Sequence, residues 1–203
     1  MAENLGNPTV DQPFGEEGEG SMNEVKGTAY FGFTGPIEPA GVGRIAGALN
    51  SAVNSGASLV HLAFSSSGGY VADGVYLYNH IRALPLHLVL YNTGSVSSIA
   101  VSVFLASQER YCSAHGMFMI HPTTMGQSEG LTARRLQSSL DAALADDDRT
   151  DNILRERSRI PEEVLAARRH SEVYIAPLMA VTYGIVDAVR EFSLPKGQQI
   201  IQI

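Results

Sequence analysis

The chain has 203 residues, 44% of them apolar, enough to bury a substantial core as one domain of ordinary size. Its net charge of −7 is uneven: residues 1 to 21 carry Glu3, Asp11, Glu16, Glu17 and Glu19 with no Lys or Arg, so the body is near neutral and a nucleic-acid binder is not indicated. Cys112 is the only cysteine, which excludes an intrachain disulfide or a CxxC metal site, and no apolar run approaches the roughly 18 residues of a membrane span.

In chain order, residues 1 to 21 combine Gly, Pro and acid with few aliphatics. Such a composition cannot bury enough surface to offset the entropy of ordering, and a disordered acidic tail is expected there, with 22–203 as the folded domain. The tail is unlike a secretion signal, so a cytoplasmic location is the default. Thr28 to Thr34 alternates like a strand and ends at Gly35-Pro36, and Val42, Ile45, Leu49 and Val53 then mark one face of a helix within 37–54. A second strand, Ser58 to Phe64, runs into the loop Ser65 to Gly69. Val71, Val75, Leu77, Tyr78 and Ile81 are spaced for a second helix that Pro85 terminates.

Leu86 to Tyr91 suits a buried third strand, Asn92-Thr93-Gly94 reads as a turn, and Ile99 to Ala106 reads as a buried helix. Short strands are expected at Arg110 to Ser113 and from Gly116 to His121, followed by a polar loop from Thr123 to Gly130. Leu131 to Arg159 reads as one long helix or two in line. Pro161 to Arg169 is a short helix, Val173 to Ile175 an extended piece, Pro177 to Tyr183 a helix stopped by Gly184, and Ile185 to Val189 a last strand. Strands alternating with helices give an α/β class.

Ser95, Ser97 and Ser98 lie where the third helix begins, so at least one hydroxyl belongs beside unpaired backbone N–H groups and a positive dipole end. Serine is also a preferred helix N-cap, and taken alone the stretch favours that simpler role. Cys112 could pair with His121 or His115 as a thiol nucleophile or metal pair, but a lone buried strand cysteine is the commoner outcome. No P-loop or GxGxxG signature is present, and no cofactor or metal is expected.

Four segments together carry a resemblance. Ser66-Ser67-Gly68-Gly69 is similar to Ser-Pro-Gly-Gly, Gly94 to Ala100 to Gly-x-Ala-Ala-Ser-Met-Gly, Met119-Ile120-His121-Pro122 to Met-Ile-His-Gln-Pro, and Ala180 to Asp187 to Ala-x-x-Tyr-Gly-Leu-Val-Asp. In this order and near this spacing they resemble the ClpP family, the proteolytic subunits of the Clp proteases, whose fold is shared with crotonases. The resemblance covers about Thr28 to Val189. It implies a ClpP/crotonase-like fold of repeated β-β-α units with a projecting long helix, and serine endopeptidase activity on peptides or unfolded proteins.

The resemblance makes Ser98 the nucleophile and His121 the base that takes its proton and returns it to the leaving amine. The matched acid position is Glu172, where the family uses Asp; Asp187 and Glu163 are the substitutes. Backbone N–H groups of Gly69 and Ile99 correspond to the oxyanion hole. A lysine base is disfavoured because the only lysines are Lys26 and Lys196. The family also implies homo-oligomeric rings, heptameric or doubled, contacting through the long helix and enclosing the sites in a chamber.

Several departures stand out. Proline is missing before Gly68, Ala100 replaces a glycine, and the interval from Ser98 to His121 is short for the family. No segment matches its ATPase-gating N-terminus, which bears on docking to an AAA+ ATPase partner. Two other readings stay open: a crotonase-like acyl-CoA enzyme using the same paired N–H groups, and a non-catalytic ring subunit with an incomplete triad.

Overall fold

The computed structural model describes residues 1, 27–126, 130 and 132–203. The expected acidic tail lies outside the described residues, as do parts of the loop before the long helix. The elements in order are β1 (Thr28–Thr34), α1 (Pro39–Asn54), β2 (Leu59–Ser66), α2 (Val71–Ala83), β3 (His87–Ser97), α3 (Ile99–Phe104), β4 (Glu109–Cys112), β5 (Met117–Ile120), α4 (Ala133–Arg157), α5 (Glu162–Arg168), β6 (Val173–Ile175), α6 (Pro177–Thr182), β7 (Ala188–Val189) and β8 (Ile200–Gln202). This is the α/β architecture expected of the ClpP fold.

One sheet runs β6-β5-β3-β2-β1-β8, with β4 on β3 and β7 on β4; every pair is parallel except β5 with β6. The alternation in β2 has a direct physical consequence. Val60, Leu62, Phe64 and Ser66 are buried while the residues between them are half-buried, so one face meets the core and the other stays partly open. α1 starts with Pro39 in its first turn and buries Val42, Ile45 and Leu49 against the core, and α2 packs on both α1 and α3. After α2 the chain turns extended at Leu84, because a residue before proline is pushed out of the helical region.

The turn expected at Asn92-Thr93-Gly94 does not form. β3 continues through it to Ser97, with its register against β2 shifting between Phe64 and Ser66. The buried Asn92 side chain makes this continuation feasible: its Oδ1 accepts the Gly94 N–H at 3.1 Å and its Nδ2 donates to the Met117 carbonyl at 3.0 Å. β3 therefore pairs with β4 over Val89 to Asn92 and with β5 over Ser95 to Ser97. The expected strand from Ile185 shrinks to Ala188–Val189, since Ile185 and Val186 are fully buried side chains outside any strand. β8, on the far edge against β1, has no counterpart among the expected elements.

The long helix is a single element of 25 residues, opened by Thr132, whose hydroxyl accepts the Arg135 N–H at 3.3 Å. Its buried side chains begin at Ala143 and cluster from Asp147 to Leu154. Leu136, Leu140 and Leu144 form an exposed stripe at four-residue spacing on the half that leaves the core.

Candidate active site

Ser98 stands between β3 and α3 with φ 58° and ψ −134°, and it is the only non-glycine residue with positive φ among the described residues. A side-chain-bearing residue in that region costs about 1–3 kcal/mol and persists only where the surroundings enforce it. Here the enforcement is the ladder, because the Ser98 N–H donates to the Met119 carbonyl at 2.7 Å. The residue occupies the N-cap position of α3, yet its hydroxyl makes no capping bond. The neighbouring serines are otherwise engaged: Ser65 Oγ exchanges hydrogen bonds with the Ser95 backbone, and Ser66 Oγ accepts the Gly68 N–H at 3.2 Å.

β5 carries the chain from Met119 to His121, which lies just past the strand end and is half-buried. Ser98, Ile99, His121 and Gly69 line one cavity of about 180 Å³, together with Ser102, Thr123, Thr150, Asp146 and Arg168. The other described histidines with ring contacts are committed elsewhere. His61 Nδ1 meets Tyr91 Oη at 3.2 Å, His80 meets Asn50, and His87 meets Glu109 at 2.8 Å. Burial lowers the pKa of His61, which keeps it neutral in its aromatic packing.

Gly68 and Gly69 bring the loop after β2 against both Ile37 and the serine. Gly68 has φ +92°, and its carbonyl accepts the Ile37 N–H at 2.8 Å while the Tyr70 N–H donates to the Ile37 carbonyl at 2.8 Å. The Gly69 N–H between them donates to no described residue. The Ile99 N–H, first in its helix, likewise has no acceptor of its own. Gly69 and Ile99, each with an uncommitted amide donor, thus line the cavity that Ser98 also lines, and such donors can stabilise negative charge developing on an oxygen.

The acid position is different. Antiparallel pairing sets Ile120 opposite Val173, so His121 and Glu172 flank each other one step beyond the last pair. The Glu172 carboxylate nevertheless accepts the Tyr174 hydroxyl at 2.6 Å and does not line the cavity. That bond raises the Tyr174 pKa. Asp187 accepts the Arg110 backbone N–H at 2.8 Å, away from the cavity, and Glu163 is an exposed residue of α5.

Sequence reasoning passed over Arg168, which is buried on the cavity wall and donates to the His121 carbonyl at 2.6 Å. A signal was present in Asp147 and Asp151, four residues apart on one helix face, ahead of paired arginines. Cys112 is fully buried, and burial pushes its thiol pKa up to about 11, which leaves almost no thiolate at neutral pH. A maleimide is expected to leave Cys112 untouched in the native protein and to modify it once in denaturant. Rapid native labelling would restore it as a nucleophile candidate.

Among the described residues no cluster of His, Cys, Asp and Glu could hold a metal ion, and no helix is long and apolar enough to cross a membrane. The sequence model of the Clp protease family matches residues 43–192. Among curated relatives, ATP-dependent Clp protease proteolytic subunit 2 of Chlamydia muridarum is 27% identical over 134 residues, 64% of each chain. The subunit 2 of Pseudomonas aeruginosa is 24% identical over 67% of this chain and 70% of its own, and the proteolytic subunit of Pinus contorta is 28% identical over 61% of each. The chain thus spans less than two thirds of the first of these relatives. With the family match covering most of its length and the fold in agreement, the chain belongs to the Clp protease family.

Proposed function

We propose that the protein is a ClpP-type serine endopeptidase in which Ser98 attacks the peptide carbonyl. His121 takes the Ser98 proton as the new C–O bond forms, and the carbonyl oxygen becomes an oxyanion received by the N–H groups of Gly69 and Ile99. Collapse of the intermediate breaks the C–N bond, with His121 giving its proton to the departing amine. Water then hydrolyses the acyl-enzyme by the same route in reverse. The observation that carries the reading is the strained, uncapped Ser98 lining one cavity with His121, Gly69 and Ile99, the last two with uncommitted backbone amides. Glu172, one step beyond the β5–β6 pairing, is the acid that orients the imidazole once its carboxylate leaves Tyr174.

Substrates are peptides or unfolded segments that thread into a chamber formed by rings of the chain. The exposed stripe of Leu136, Leu140 and Leu144 on the projecting half of α4 is the surface through which copies meet. The names of the relatives describe ATP-dependent enzymes, and an AAA+ ATPase is the corresponding partner class here.

A fluorophosphonate probe tests the chemistry. Labelling of the wild-type protein at Ser98, abolished in Ser98→Ala and His121→Ala, is the expected result. The engagement of Glu172 by Tyr174 favours a second reading, a ring subunit without activity, and an unlabelled but ring-forming wild type would establish it. Absence of labelling together with tight coenzyme A binding would favour acyl-CoA chemistry instead.

A further inference from the structure

The ladder bonds that place Met119 and Ile120 stop before His121, so the backbone of the proposed base needs another support. That support is a single buried cation. Arg168 Nη1 donates to the His121 carbonyl at 2.6 Å, Nε to Asp151 Oδ1 at 2.6 Å, and Nη2 to Thr150 Oγ1 at 2.8 Å and the Asp147 carbonyl at 3.2 Å. Two residues further on, the Thr123 N–H donates to Asp147 Oδ1 at 2.7 Å, so the segment from His121 to Thr123 is tied to one face of α4 at two points. Asp151, with no exposed surface, is shared: its Oδ2 accepts from Arg169 at 2.7 and 3.0 Å. The planar fork of a guanidinium suits this task, because it can reach a carbonyl, a hydroxyl and a carboxylate at once in fixed directions.

We infer that Arg168 is a positioning residue for the peptidase reaction: by holding the His121 carbonyl against α4, it fixes the imidazole relative to Ser98. This role rests on the peptidase reading above. The competing role for Arg168 is adhesion alone, joining α5 to α4 through buried ion pairs with no bearing on the chemistry.

Two variants separate these roles in the full-length protein. Arg168→Lys keeps the charge beside Asp151 but offers a compact ammonium that cannot span the four acceptors. The double variant Arg168→Met with Asp151→Leu removes the tightest buried pair together, while Asp147 keeps the Thr123 N–H and Arg169 keeps Asp148. The readouts are kcat and KM on a fluorogenic peptide, the rate of fluorophosphonate labelling, and the melting temperature. A misplaced base costs turnover and spares binding. The expected order of kcat and labelling rate is wild type, then Arg168→Lys, then the double variant, with about a tenfold loss at the first step and about a hundredfold at the second. KM should stay within about twofold throughout.

A folded Arg168→Lys protein that turns over and labels at the wild-type rate would overturn the positioning role, even if the double variant failed to fold. So would losses that follow melting temperature alone. A wild-type protein that neither labels nor cleaves would overturn the peptidase reading and the positioning role together, so the two failures are told apart by the wild type.

Discussion

Replacing Ser98 by glycine is expected to give an enzyme that is dead and yet more stable than the alanine variant. Both substitutions remove the hydroxyl, and loss of a triad nucleophile lowers turnover by roughly 10⁴- to 10⁶-fold. They differ in the backbone. At φ 58° and ψ −134° an alanine inherits the strain of the serine, while glycine adopts the conformation without a Cβ penalty. Relief of strain is partly offset by the greater freedom of glycine in the unfolded chain, leaving a net gain of about 1 kcal/mol over alanine. For a domain of this size that corresponds to roughly 2–4 °C in melting temperature. Peptidase activity surviving in either variant would remove Ser98 from the mechanism, and equal melting temperatures would show that the turn holds no strain.

Gly69→Ala is expected to cost both stability and activity. A Cβ at this position would fall against the Ile37 carbonyl, 2.7 Å from its carbon, and that is backbone held by bonds on both sides. The loop must move, at a cost of about 3 kcal/mol. As it moves, the Gly69 amide shifts relative to the cavity, and loss of one oxyanion donor, the role proposed for this amide, lowers kcat by about 10²- to 10³-fold. Gly68→Ala provides the comparison. Its Cβ would meet the Ser98 Cβ at 2.6 Å and the Ser97 carbonyl at 2.8 Å, and φ +92° disfavours any side chain there. Chemical denaturation together with single-turnover acylation measures both. A Gly69→Ala protein with wild-type kcat would rule out its amide as an oxyanion donor.

The parts of this fold governed by short-range pattern were legible in the chain. Alternation located β1, the strand-like run Ser58 to Phe64 located β2, the spacing of Val42, Ile45 and Leu49 located α1, and the composition from Leu131 to Arg159 located α4. The error at Asn92-Thr93-Gly94 has a physical cause. Those residue types favour turns when their polar groups face water, whereas here the Asn92 amide is buried and bonded within the sheet, so the strand continues. β8 went unseen because three exposed residues at the end of the chain become a strand only by meeting β1, some 170 residues earlier.

For the candidate site, the serine, the histidine and the two glycines could be nominated from motifs because their local turns are encoded locally. The outward engagement of Glu172 depends on Tyr174 at a strand edge, and the burial of Arg168 depends on α4 folding back over it. Neither is a property of the residues in sequence.

The rung between the Ser98 N–H and the Met119 carbonyl holds the proposed nucleophile opposite a residue two positions before the proposed base. The sheet thus fixes one end of their separation, and the tie from Arg168 to the His121 carbonyl fixes the other. Warming the protein should leave any catalysis intact until either the sheet or that tie gives way, so that inactivation comes at or below the temperature of melting.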